Sequence, residues 1–169
     1  HRFARDYEEA NRAAEAIKAR PGTSQTGNAD FRLARADLNV NHAIALIYTG
    51  QTDSGVDMLK TVIGDFAKSG SESPAHGEPA DLFYTQRRNL VLGSAHNHLG
   101  YAYWMNWGRY RAALKEFRLA LPYFFASNLE EEIANTCDNM GRVYALLGDR
   151  TQAQLLVREG LKLRRRLGR

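Results

Sequence analysis

Residues 97–120 read NHLGYAYWMNWGRYRAALKEFRLA, and this stretch decides the fold. Small and apolar residues recur at helical spacing on both sides of one glycine, Gly108. They are Gly100 and Tyr103 before it, and Ala113, Phe117 and Ala120 after it. Because glycine commonly ends a helix, the stretch predicts two helices joined by a tight turn at Gly108.

The same arrangement occurs three times along the chain, each copy centred on a turn glycine. These glycines are Gly50, Gly108 and Gly148. Five residues after each comes a small residue: Gly55, Ala113 and Ala153. Nine residues after each comes a large apolar one: Leu59, Phe117 and Val157. Repeated helix–turn–helix units stack on their neighbours, because one pair cannot bury both of its apolar faces. A generic helical bundle is the alternative, but it would not require matching offsets in three copies.

Turn and cap residues predict seven helices in one domain. We expect a half repeat over 1–22 (its helix at 6–20), a repeat over 30–68, a loop over 69–78, and repeats over 79–127 and 128–168. The expected signals are a cap at Asp30, a helix start at Pro79, a kink or break at Pro122, and a capping box formed by Asn128 and Glu131.

Two copies resemble the tetratricopeptide repeat. The residues that carry the resemblance are 97–103 (NHLGYAY) with 108–113 (GRYRAA), and 139–149 (NMGRVYALLGD) with Ala153. The copy at 43–62 is similar but has Gly55 where the family has alanine, and residues 7–17 match half a repeat. The copy at 94–121 has one extra residue before Gly108. The resemblance implies an all-α, right-handed solenoid of antiparallel helix pairs with about three and a half repeats.

The spacing of the turn glycines resembles a longer-period subclass of this family. Gly108 and Gly148 are 40 residues apart, against a usual period of about 34. Repeats of this length resemble the sensor regions of bacterial signal-transducing ATPase and transcription regulators, and the kinesin light chain type. The resemblance implies a non-catalytic module of a larger regulator that binds a protein, a peptide or a small effector.

The family's concave groove gives the candidate binding residues. In such arrays the first helix of each pair lines the groove, which here implies Val40, Ile44, Asn97, Tyr101, Trp104, Asp138 and Arg142. The Asn97 amide is both donor and acceptor, so it suits a peptide backbone, and Arg142 suits a carboxylate or phosphate. Structural alternatives remain open. Asp138 and Arg142 have the spacing of an intrahelical ion pair, and Tyr101 and Trp104 have side chains suited to packing on the adjacent unit.

Composition and cysteine content limit the function classes. Of the 169 residues, 44% are apolar and 25% charged, which is typical of a globular domain. No apolar run approaches the roughly 20 residues of a membrane helix, so no membrane contact is expected. Cys137 is the only cysteine, which favours a reducing, cytoplasmic setting. The chain also begins without methionine, and we expect it to be part of a longer protein.

No constellation of residues indicates catalysis, a metal or a cofactor. His96 and His98 are two residues apart on a predicted helix, so they point to different faces. Cys137 is single and falls in a predicted helix, which favours a buried thiol over a nucleophile. The sequence therefore predicts no enzymatic activity.

The last twelve residues are strongly basic, in a chain whose net charge is +4. The basic residues of interest are Arg158, Lys162, Arg165, Arg166 and Arg169. A solvated face that suits a helix C terminus is the favoured interpretation. Contact with nucleic acid is less favoured, because no base-reading motif accompanies the cluster. A further hypothesis is an assembly scaffold that self-associates through its open terminal helices.

Overall fold

The computed structural model of the chain describes residues 25–68 and 78–168, and within them it is all-helical. Its six α-helices are α1 (Gln25–Tyr48), α2 (Thr52–Lys68), α3 (Glu78–Tyr101), α4 (Tyr110–Ala126), α5 (Glu130–Leu146) and α6 (Arg150–Arg166). A π-helical segment, π1 (Ala102–Asn106), continues α3. The all-α prediction is confirmed. The seventh predicted helix, within the half repeat 1–22, lies outside the described residues, as does the predicted loop except for Glu78.

The chain divides into two compact units, His1–Val91 and Leu92–Arg169, and the division falls inside α3. In the first unit, α1 buries one face whose members are three or four residues apart: Ala29, Leu33, Ala36, Val40, Ala43 and Ile47. Helix α2 lies against this face. A β-carbon on Gly55 would stand 2.6 Å from the carbonyl oxygen of Ala43, so the two backbones are in close contact there.

The second unit is built from two antiparallel pairs, α3/π1 with α4 and α5 with α6. Gly100 faces Phe117, and Gly141 faces Val157 across the next pair. Two core clusters fill the space between α4 and α5. Their largest fully buried side chains are Phe117, Phe124 and Val143. The prediction that small residues lie where paired helices approach is confirmed at these glycines.

The three predicted turn glycines all have positive φ: 89° at Gly50, 62° at Gly108 and 81° at Gly148. This left-handed conformation costs a side chain about 1–2 kcal/mol but is free for glycine. At Gly50 and Gly148 the next amide reaches back to close the turn: Gln51 N donates to Leu46 O at 2.8 Å, and Asp149 N donates to Tyr144 O at 2.9 Å. These bonds satisfy carbonyls that the helix end leaves free.

The junction between α4 and α5 differs from the prediction. The expected capping box is wrong, because Asn128 has φ 52° and the N-cap is Leu129, without a side-chain cap. Leu129 N donates to Phe124 O at 3.0 Å, so Asn128 occupies the place that a glycine has in the other turns. Asparagine is among the residues that tolerate this conformation.

Two further expectations are corrected by packing. Pro122 does not interrupt α4, which runs through it to Ala126. The proline is exposed, and so is Arg118, whose carbonyl the proline leaves without its usual helical donor. Helix α1 begins at Gln25 rather than at Asp30, because buried Ala29 extends the apolar face of Leu33 by one turn.

The extra residue before Gly108 is accommodated by π1. Trp107 N donates to Ala102 O at 3.3 Å, a bond that spans five residues where an α-helix spans four. The wider turn holds one more residue in the same length, so Gly108 still closes the helix. The insertion therefore leaves the pairing of α3 with α4 intact.

Candidate functional site

Of the two predicted groove residues of the first unit, Val40 lies in the core and Ile44 at its edge. Val40 is only 3% exposed and belongs to the buried face of α1. Ile44, one turn later, is half-buried. Val40 therefore offers almost no surface to a ligand, and only Ile44 of this pair reaches solvent.

Asn97 joins two helices. It is 7% exposed, and its Oδ1 lies 3.3 Å from the hydroxyl of Thr136, which is fully buried on α5. The same hydroxyl lies 2.8 Å from the carbonyl oxygen of Glu132, to which it donates within its own helix. A buried amide with such a partner holds α3 beside α5, and it is not presented to solvent.

Tyr101 and Trp104 form one aromatic contact. Their rings meet edge to face, with centroids 6.0 Å apart and an interplanar angle of 75°. Both side chains are half-buried, and Trp104 packs against the core cluster that contains Phe117 and Met140. The structural alternative for Trp104 is thus confirmed, while part of each ring stays exposed.

Asp138 and Arg142 of α5 do not form the intrahelical ion pair that the sequence left open. Asp138 forms its ion pair with Arg164 of α6, with Arg164 Nη2 2.6 Å from Asp138 Oδ2. Arg164 Nη2 also donates to Asn135 Oδ1 at 3.2 Å. The structural alternative of an Asp138–Arg142 pair is therefore wrong, because Asp138 faces α6. Arg142 is exposed and has no ion pair among residues 25–68 and 78–168.

We call the partly exposed edge where α3 meets α5 the α3/α5 rim, and its residues are Ser94, Tyr101, Asn139 and Arg142. Ser94 and Tyr101 are each one turn from Asn97, and Asn139 is one turn from Thr136. The Asn97–Thr136 contact joins the two helices at this level, and Arg142 lies one turn beyond Asn139 along α5. The rim offers an aromatic side chain, an amide and an exposed guanidinium.

The basic residues of α6 are partly neutralised. Lys162 Nζ lies 2.7 Å from Glu159 Oε1, and Arg166 Nη2 lies 3.1 Å from Glu130 Oε1. Arg158 and Arg165 are exposed, and neither forms an ion pair within the described part of the chain. Arg169 lies outside the described residues. A shallow surface depression of about 440 Å³ is lined by Glu159, Lys162, Leu163, Arg165 and Arg166.

The sequence did not predict the buried acid–base pair of His96 and Glu116. His96 Nδ1 lies 2.8 Å from Glu116 Oε2, and the two side chains are only 10% and 14% exposed. The ring of Tyr123 stacks on His96, with centroids 5.9 Å apart. The signal was present in the spacing, because Gly93, His96 and Gly100 share one face of α3 and the two glycines mark it as the face that meets α4.

Burial changes the acid–base properties of two further groups, His98 and Cys137. Burial lowers the pKa of His98, whose Nδ1 lies 2.9 Å from the carbonyl oxygen of Ser94. Burial also raises the pKa of the Cys137 thiol, with the negative charges of Asp138 and Glu159 adding to the effect. Both groups are therefore held neutral at pH 7. His96 and His98 do point to different faces, as predicted.

Within residues 25–68 and 78–168, no group of three or more His, Cys, Asp or Glu side chains is placed to hold a metal ion. Over the same ranges, no helix has both the length and the apolar character that a membrane span requires.

Comparison of this chain with protein families, curated proteins and solved structures finds no match in any of the three.

Proposed function

We propose that the chain is a non-catalytic helical-repeat module that binds a peptide segment of a partner protein at the α3/α5 rim. Its helix pairs would stack as a right-handed, tetratricopeptide-like solenoid. Recurrence supports this architecture: three helix pairs have a left-handed turn glycine, and each pair has a glycine in close contact with its partner helix. Repeat arrays of this kind bind through extended surfaces.

The observation that carries the binding surface is the state of Arg142. The neighbouring Asp138 forms an ion pair with Arg164. The guanidinium of Arg142 is exposed and has no ion pair among the described residues. An Arg side chain binds a carboxylate through two parallel hydrogen bonds. Asn139, one turn away, has the donor and acceptor needed to bind a peptide backbone. The rim therefore fits a peptide with an Asp, Glu or C-terminal carboxylate.

The His96–Glu116 pair supports a structural role rather than a catalytic one. Its two side chains are buried between α3 and α4 under the ring of Tyr123. A general base must come within hydrogen-bonding distance of its substrate, and these two groups bind each other instead. The resemblance to longer-period repeats further supports a cytoplasmic regulator as the parent protein, with the module as its sensor or scaffold.

A peptide selection tests this function. A phage-displayed library of random twelve-residue peptides is selected on the immobilised chain, and enriched peptides are measured by titration calorimetry. We expect acidic peptides whose affinity falls about tenfold or more in Arg142→Glu. The matched control is Arg111→Glu, which makes the same charge change at an exposed position of α4. Equal affinity for the two variants, or no enrichment, would contradict the proposal.

A further inference from the structure

The second helix of each pair has a stripe of residues at the same three positions, which are 6, 9 and 13 residues after the turn glycine. We call it the outer stripe. In α2 it consists of Val56, Leu59 and Ile63; in α4, of Leu114, Phe117 and Leu121; in α6, of Gln154, Val157 and Leu161. Positions 9 and 13 are large and apolar in all three copies.

The outer stripe is buried in the first two copies and exposed in the third. Leu59 and Phe117 are both 0% exposed, whereas Val157, the equivalent residue of α6, is 41% exposed and Leu161 is 45% exposed. In the second unit the reason is visible, because the stripe of α4 packs on Met140 and Val143 of α5. No described helix occupies the equivalent place on α6.

Charge distinguishes the edges of this stripe from those of its buried counterpart. Arg158 and Arg165, which are seven residues apart, lie along one edge of the stripe of α6, and Arg150 lies in line with it, one turn before Gln154. All three are exposed and have no ion pair within residues 25–68 and 78–168. The equivalent residues of α4, forty positions earlier, are Tyr110, Arg118 and Phe125. Two aromatic side chains are thus replaced by cations, so the flanks suit an anionic partner.

We propose that the outer stripe of α6 docks an acidic amphipathic helix of a partner protein, in the way that the stripe of α4 docks α5. The partner's apolar residues, spaced three and four apart, would cover Val157 and Leu161. Its carboxylates would pair with Arg158 and Arg165. Helix α5 itself has this character, with Glu130, Glu131 and Glu132 in its first turn. This surface is separate from the α3/α5 rim, so it does not depend on the proposed function.

Two other occupants fit less well. A second copy placed face to face would bring Arg158 and Arg165 against the same cations of its partner, and like charges in contact disfavour such a pairing. Nucleic acid would use the arginines but would leave Val157 and Leu161 without an apolar partner. Of these three occupants, the acidic helix is the one that satisfies both the charge and the exposed apolar area.

The test uses the chain's own α5 as the probe. A fluorescein-labelled peptide of residues 128–147, NLEEEIANTCDNMGRVYALL, is titrated with the full chain by fluorescence anisotropy. A second peptide carries glutamine at its three consecutive glutamates. We expect saturable binding of the acidic peptide, and about tenfold weaker binding of the neutral one.

Variants of α6 locate the binding. Leu161→Glu is expected to weaken binding about tenfold or more, and so is the double variant Arg158→Glu/Arg165→Glu. The matched control is Leu119→Glu on α4, because Leu119 is 42% exposed on another face. The double variant alters exposed charges only, so it keeps the test valid if Leu161→Glu impairs folding.

Four results would overturn the inference. The first is the absence of saturable binding, and the second is binding that neither the Leu161 nor the arginine variant weakens. The third is a DNA duplex that binds more tightly than the peptide and is unaffected by Leu161→Glu, which indicates nucleic acid. The fourth is a dimer that Leu161→Glu dissociates while the peptide does not bind, which indicates a second copy. None of these results depends on Arg142 of the full chain, so failure here leaves the rim proposal standing.

Discussion

Gly100 lies directly against the ring of Phe117. A β-carbon at position 100 would stand 2.7 Å from Cε1 of Phe117 and 3.1 Å from the carbonyl oxygen of Ala113. Phe117 is fully buried, so its ring cannot turn away into solvent. At the equivalent place in the next pair, a β-carbon on Gly141 would lie 3.2 Å from Val157 Cγ2, and Val157 is 41% exposed. The first crossing is therefore the tighter one.

This difference predicts unequal effects of one substitution at two glycines. Gly100→Ala should lower the free energy of unfolding by about 1–3 kcal/mol, because the ring of Phe117 has to shift within a packed core. Gly141→Ala should cost less than Gly100→Ala, because Val157 can move outward and alanine favours the helix, although the Ala153 carbonyl oxygen would stand 3.3 Å from the new β-carbon. Urea unfolding followed by circular dichroism measures both. A larger loss for Gly141→Ala would contradict the assigned packing.

A second pair of glycines separates backbone strain from helix propensity. Gly148 has φ 81°, so Gly148→Ala should destabilise the fold by about 1–2 kcal/mol, although no atom obstructs the new β-carbon. Gly64 lies within α2 and does not have positive φ, and no atom lies within 4 Å of the place that a β-carbon would take there. Gly64→Ala should therefore stabilise the chain by about 0.5–1 kcal/mol. Thermal melts of the two variants should shift in opposite directions.

The turn glycines were predictable from sequence because their requirement is local. A left-handed residue at a helix end excludes most side chains, so Gly50, Gly108 and Gly148 can be recognised by their spacing. Asn128 also adopts the left-handed conformation at a helix end, although it is not a glycine. Its side chain instead led to the prediction of an N-terminal cap for the next helix. Residue type alone does not separate these two roles, because asparagine is favoured in both.

The binding residues were less predictable because burial is set by neighbouring helices. The groove positions predicted from the tetratricopeptide resemblance include Asn97. Its side chain instead contacts the hydroxyl of Thr136, which is 39 residues later in the sequence and lies on another helix. Asp138 likewise pairs with Arg164 rather than with Arg142, four residues along its own helix. Helical spacing shows which residues share a face, but only the packed structure shows what covers it.

The π-helical segment predicts that one deletion is tolerated. In the other two copies the small residue of the first helix lies seven residues before the turn glycine, whereas Gly100 lies eight before Gly108. Removing Met105, which is 54% exposed, would restore the spacing of seven. We expect π1 to convert to an α-helix, with folding and helical content retained. Deleting Arg142, also exposed but within α5, has no wide turn to absorb it and should rotate the following residues by about 100°. Loss of cooperative unfolding is expected for that control alone.

The buried acid–base pair gives a prediction about stability. Glu116→Ala leaves His96 Nδ1 without its 2.8 Å partner and should cost about 1–3 kcal/mol of unfolding free energy. Glu116→Gln keeps a hydrogen-bonding oxygen and should cost less. The neighbouring Lys115→Ala is exposed and should stay within about 0.5 kcal/mol of the wild type. Equal stability of the two Glu116 variants would show that the hydrogen bond to His96 contributes nothing.

His98 predicts how stability depends on pH. Burial lowers its pKa in the folded chain below the ordinary value of 6.5, while the bond to the Ser94 carbonyl opposes this only partly. As the pH falls below about 6.5, His98 is protonated in the unfolded chain but stays neutral in the folded chain. The free energy of unfolding therefore decreases. The contribution of His98 to the free energy of unfolding is therefore fully present above pH 6.5, and it is lost as the pH falls toward the lowered pKa. Burial instead raises the pKa of Glu132 from 4.5, which gives the opposite slope above pH 4.5.

Urea titrations between pH 5 and 7 measure this effect, with His98→Gln as the variant. Glutamine does not titrate, so the decline in stability below about pH 6.5 should become shallower in the variant. Because Glu132 is retained in both proteins, its contribution cancels in the difference between the two curves. A difference that stays constant across this pH range would show that His98 takes up its proton equally well in the folded and unfolded chain.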